Sequence, residues 1–178
     1  MTKVALVGSM GVGKSTVARL LAARLGWRMV DLDAEIEHRS GKTIRQIFDS
    51  ESEHGFRILE ASVLNYVTTE LGDESCVLAT GGGVVTTLRS RETLIQNWET
   101  VWLVASPKTI VEHLQHETSG RPLLDDAPNL FERIHKLTAD REVWYQSVAK
   151  WSVTVDGLTA DAVAQRIHEW GGWTACNE

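Results

Sequence analysis

The chain has 178 residues, 43% hydrophobic and 24% charged, with 18 Lys and Arg against 24 Asp and Glu for a formal net charge of −6. That length suits one domain with a substantial core, and the acidic balance argues against a general nucleic-acid binder, which needs a basic face. No apolar run is long enough to span a bilayer, and two cysteines, Cys76 and Cys176, fit a reducing cytoplasm and supply neither a disulfide framework nor a metal site.

The first expected strand, 3–7, carries the apolar run Val4-Ala5-Leu6-Val7. It starts so early that no leader segment is expected. Gly8-Ser9-Met10-Gly11-Val12-Gly13-Lys14-Ser15-Thr16 follows and matches G-x-x-x-x-G-K-[ST], the phosphate-binding loop. A helix is expected over 14–25, with apolar residues at 17, 20, 21 and 25 on one face. Strand, glycine loop and helix are the context the motif needs. Its glycines let backbone N–H groups close around phosphate oxygens, and the helix N-terminus adds partial positive charge. Gly11, Val12, Gly13, Lys14, Ser15 and Thr16 are therefore the candidate nucleotide contacts. Lys14 reaches the terminal phosphates and Ser15 ligates Mg²⁺.

A second strand, 28–31, leads into Asp31-Leu32-Asp33 and a helix over 33–40. Aspartates at i and i+2 on extended chain point the same way. Asp31 and Asp33 then serve one site, one in a Mg²⁺ shell and the other binding or deprotonating an acceptor hydroxyl. Alternatively, Asp33 only caps a helix starting at Ala34. Helices follow over 43–49 and 51–70, each opened by a capping-box pattern, Thr43…Gln46 and Ser50…Glu53. The second shows an apolar face of Phe56, Leu59, Val63, Tyr66 and Val67. The third strand, 75–79, contains Cys76, which reads as a buried thiol. It runs into Thr80-Gly81-Gly82-Gly83, either a helix-entry turn or a place where backbone must approach a ligand closely.

Beyond it the pattern gives a helix over 88–98, a strand over 100–105 and a helix over 107–116 opened by Ser106-Pro107. His113 and His116, three apart without a third ligand, read as a solvated face. The segment 117–127 lacks periodicity and suits a lid. A helix over 128–148, a strand over 152–155 and a helix over 159–170 complete the chain, and the seven tryptophans read as packing residues. Alternating β and α elements argue for a mostly parallel sheet covered on both faces. Ligands then bind beyond the carboxyl ends of the strands, where the P-loop, the aspartates and the triple glycine converge.

Asp31-Leu32-Asp33, Gly55-Phe56-Arg57 with Glu60, Gly81-Gly82-Gly83 and Arg121-Pro122-Leu123-Leu124, in that order and at that spacing, resemble the shikimate kinase family over nearly the whole chain. The resemblance implies a three-layer P-loop α/β fold: a five-stranded parallel sheet of order 2-3-1-4-5, helices on both faces and a short lid. It implies one domain over 1–178, with an acceptor-binding region at about 31–62 and the lid at about 117–127. The implied activity is transfer of the ATP γ-phosphoryl to the 3-hydroxyl of shikimate, in aromatic amino-acid biosynthesis. The implied cofactors are ATP and Mg²⁺. The implied setting is cytoplasmic and monomeric, without nucleic acid or membrane.

The same resemblance implies roles at matching positions. Lys14, Asp33 and Arg121 are catalytic, with Asp33 the base and Arg121 the lid arginine that approaches the phosphates. Ser15 holds the metal and Asp31 reaches it through water. Asp33, Arg57, Gly81, Gly82 and Arg141 bind the acceptor, the two arginines through its carboxylate. Read alone, Arg57 and Arg141 suit surface ion pairs better than a ligand clamp. Trp144 stands where the family favours an aliphatic residue. A kinase of another small hydroxy acid, such as gluconate, and a non-catalytic nucleotide-binding module are the other readings. One departure stands out. The family carries an adenine-stacking arginine ahead of the lid, but Leu114-Gln115-His116-Glu117-Thr118 has none. Weak discrimination among nucleoside triphosphates is expected, unless His116 supplies a stacking ring.

Overall fold

The computed structural model describes residues 1–115 and 129–174. The expected lid, Arg121, His116 and Cys176 lie outside the described residues. Five strands, β1 (Lys3–Val7), β2 (Arg28–Asp31), β3 (Cys76–Ala79), β4 (Glu99–Val104) and β5 (Trp151–Thr154), form one sheet of order β2-β3-β1-β4-β5. All pairings are parallel, and β1 registers Val4 against Val77 and Glu99. The helices are α1 (Lys14–Leu25), α2 (Leu32–Ser40), α3 (Ile44–Glu70), α4 (Leu88–Asn97), α5 (Pro107–Gln115), α6 (Leu130–Val148) and α7 (Ala160–Gly171). A short 3₁₀ turn spans Val84–Thr86.

The pleat of β1 sorts its side chains between two cores. Val4 and Leu6 pack with α1, α5 and α7 through Leu21, Ile110 and Ile167. Ala5 and Val7 face the other way, toward Ile36, Phe56, Leu64 and Leu94 of α2, α3 and α4. Such alternation into two apolar layers is what a strand buried on both faces requires. Val4 through Val7 are fully buried, so β1 is the axis of the molecule, and the P-loop leaves from its carboxyl end.

Three local expectations change. Helix α2 begins at Leu32 rather than at the expected residue 33, and its cap is Asp31 and not Asp33, accepting from the backbone N–H groups of Asp33 (3.1 Å) and Ala34 (3.3 Å). The break expected at residue 50 falls at Ser52, which sits inside α3 at φ 64°, ψ 174°. The Thr43–Gln46 capping box forms in both directions. The Ser50–Glu53 box does not: the Ser50 hydroxyl donates to Ile47 O, and Glu53 pairs instead with Arg57. Tyr66, expected on the buried face, is exposed beneath Arg39, whose guanidinium lies 3.6 Å from its ring centroid. The inner stripe is rotated by one position and contains Phe56, Arg57, Glu60, Val63, Leu64 and Val67.

Candidate active site

The P-loop backbone bends through positive φ at Gly8, Gly11 and Gly13 (145°, 75° and 94°). Gly13 is the N-cap of α1 and has no side chain to cap it, so no N-cap side chain takes up the first N–H groups of the helix. That leaves donors and dipole available to an anion. Lys14 is buried and folds back over the loop, donating from Nζ to Gly8 O and Ser9 O at 2.8 Å each. The Ser15 hydroxyl donates to Asp31 Oδ2 at 2.7 Å. A hydroxyl and a carboxylate so close are hard oxygen donors of the kind that Mg²⁺ takes, usually together with substrate phosphates and water. Among the described residues no cluster of three or more His, Cys, Asp or Glu suits a metal.

The two aspartates diverge rather than point together, because the chain turns helical at Leu32. Asp31 faces Ser15, while Asp33 faces the triple glycine. A Cβ built on Gly81 lies 2.9 Å from Asp33 Oδ1 and 2.8 Å from Glu60 Oε1. On Gly82 it lies 2.8 Å from the backbone nitrogen of Met10, in the P-loop. On Gly83 it collides with the Arg57 guanidinium, 2.1 Å from Nη2. The absence of side chains at 81–83 therefore lets the aspartate, the P-loop and the arginine crowd around one strand end. A helix-entry turn alone does not need this.

Arg57 is buried at 8% exposure, so it is no surface ion-pair residue. Its Nη1 donates to Glu60 Oε2 at 2.7 Å and its Nη2 to Glu53 Oε1 at 3.2 Å. Glu60 is fully buried, and its Oε1 has no hydrogen-bond partner among the described residues. Burial pushes the Glu60 carboxyl up to about 7; Arg57 opposes the rise and Asp33 adds to it. Arg141, also buried, reaches across from α6 and donates from Nη1 to Gly82 O at 3.2 Å. The Tyr145 hydroxyl donates to the same carbonyl, and its ring stacks on Trp102. Trp144 lies beneath Arg91, which donates to Val85 O.

Sequence reasoning assigned no role to Glu60 or Tyr145. The signal available for Glu60 was its i,i+3 spacing from Arg57; the structure alone puts the pair on the buried stripe of α3. Cys76 is buried, free of any bridge among the described residues, and its thiol is pushed up to about 12 by burial. His113 is not merely solvated. Its Nδ1–H donates to Gly11 O at 2.8 Å. On that side of the P-loop lies a cavity of about 340 Å³, lined by Gly11, Gly13, His113, Val155, Leu158 and Val163 among others.

A family model described as shikimate kinase matches residues 10–170. A shikimate kinase of Halorhodospira halophila is 43% identical over 169 residues, covering 94% of this chain and 92% of that protein. The solved structure of shikimate kinase from Acinetobacter baumannii in complex with shikimate superposes with a TM-score of 0.89 at 36% identity, covering 96% of this chain and 92% of that one. A gluconokinase from Sinorhizobium meliloti, at 17% identity and a TM-score of 0.56 over 96% of this chain and 95% of that one, shares the fold alone.

Proposed function

The chain belongs to the shikimate kinase family, and from that premise we propose that it transfers the γ-phosphoryl group of ATP to the 3-hydroxyl of shikimate. The observation that carries the reading is the pair of buried arginines beside the P-loop. Arg57 and Arg141 converge on the Gly81–Gly83 wall from α3 and α6, with Asp33 next to them. Two guanidiniums suit a planar carboxylate, and Asp33 suits the hydroxyls of the same acceptor. The acceptor-binding region is then 31–62, in a single domain that spans the chain.

Asp33 accepts the proton as the acceptor oxygen bonds to phosphorus and the bridging oxygen leaves with ADP. Phosphoryl transfer asks the protein mainly for position and for neutralised charge. Lys14 and the N-terminus of α1 supply these at the phosphates, and Arg121 adds to them from the expected lid. Ser15 and Asp31 would hold Mg²⁺, which neutralises phosphate charge when bound. The net charge of −6 supports an enzyme that needs no nucleic acid, and we read it as a cytoplasmic monomer. A coupled assay of ADP release, with shikimate and gluconate offered in parallel, tests the proposal. We expect turnover with shikimate only; turnover with gluconate alone would overturn it.

A further inference from the structure

A nucleotide whose phosphates rest on the P-loop has two directions in which to extend. Toward the triple glycine the wall is charged, with Asp33, Arg57, Glu60 and Arg141. Away from it lies the cavity behind Gly11 and Gly13, where Val155, Leu158 and Val163 supply apolar surface and the lining residues carry no carboxylate, ammonium or guanidinium. A flat, uncharged base belongs in the second. The polar side chains at its wall are the Thr16 hydroxyl, on α1 beside the phosphate loop, and the His113 imidazole.

The tautomer of that imidazole is set by its partner. A carbonyl oxygen only accepts, so the 2.8 Å contact with Gly11 O requires the proton on Nδ1. In the neutral ring Nε2 then carries a lone pair, and among the described residues nothing donates to it. The loop that cradles phosphate thus also orients a hydrogen-bond acceptor at the wall of the base cavity. We propose that His113 determines base specificity: Nε2 accepts from the exocyclic amino group of adenine and repels a base with a carbonyl oxygen in that place. This rests on the reading of the protein as an ATP-dependent kinase. It also replaces the weak discrimination expected from the missing arginine.

ATP and ITP make the sharpest pair, because they differ at this position as amine against carbonyl. Their binding is measured by calorimetry without acceptor, on the wild type, His113→Ala and His113→Phe. The wild type is expected to bind ATP about fivefold tighter than ITP, the worth of one neutral hydrogen bond. Both variants should bring the two affinities to within about twofold. His113→Phe keeps an apolar ring at the wall, so loss of selectivity there isolates the acceptor atom from packing. Equal weakening of ATP and ITP in the variants would mean that His113 only props the P-loop, and would overturn the inference. So would a wild type without preference, or a preference that survives both substitutions. Failure of shikimate turnover would instead overturn the proposed acceptor and leave this binding ratio as it stands.

Discussion

At the scale of single residues, the site holds one acid whose ionisation the fold opposes. Glu60 sits with one oxygen on Arg57 and the other facing Gly81, without a partner among the described residues. Its carboxyl, ordinarily near 4.5, is raised to about 7, chiefly by burial. The native state therefore keeps a proton that the unfolded chain releases, and the stability this contributes is complete below about 4.5 and lost as pH rises to about 7. Glu60→Gln does not titrate. Thermal unfolding across this window should show the melting temperature of the wild type falling relative to Glu60→Gln as pH rises; parallel curves would mean that Glu60 is not shifted. Lys14, held against two loop carbonyls, is expected to follow charge as it moves to the bridging oxygen. Lys14→Met should cut kcat by about 10²-fold or more with circular dichroism unchanged. Asp33→Asn should cost at least about 10²-fold in kcat if Asp33 is the base. A rise in KM with kcat intact would restrict Asp33 to binding.

At the scale of elements, turn and cap chemistry made most boundaries readable, and its failures are instructive. The Thr43–Gln46 box formed, with each side chain taking the other's backbone N–H. The Ser50–Glu53 box was written equally clearly in the sequence, yet Glu53 is drawn to a buried guanidinium one turn along. The i,i+4 spacing of the pair is visible in the sequence, but the burial of Arg57 that decides the competition is not. The cost appears at Ser52, a non-glycine residue at φ 64°, ψ 174°, a region that side-chain-bearing residues enter at about 1–3 kcal/mol. Ser52→Gly relieves it and adds back roughly 0.5–1 kcal/mol of unfolded-chain entropy. The variant should raise the denaturant midpoint at unchanged m-value. A drop would place the strain elsewhere in α3.

At the scale of the whole molecule, the strand–helix alternation and the P-loop made the architecture legible, because a parallel sheet leaves little freedom once each apolar run is located. The clamp was less legible. Arg57 and Arg141 lie far apart in sequence, and read alone they look like surface residues; only the packing of α3 and α6 against the end of β3 buries both. That division of labour has a measurable result. Arg57→Ala removes one guanidinium from the acceptor side, where truncating a desolvated charge pair costs roughly 2–5 kcal/mol, so shikimate binding should fall steeply while ATP binding holds. Equal loss of both ligands would move Arg57 out of the clamp. Arg141→Ala should follow the same pattern.

The glycine wall also limits how this enzyme can be remade. Over Gly81, Gly82 and Gly83 every added methyl comes within 3 Å of a group the site uses: two carboxylates, the backbone of the P-loop, or a buried arginine. An engineer seeking a new acceptor therefore has no side chain to adjust on that side and no space to add one. Selectivity has to be recut from the opposite bank, from the residues of α2 and α3 that look across at the glycines. A library diversified there should yield altered acceptors, and one diversified over the three glycines should yield misfolded or inactive protein.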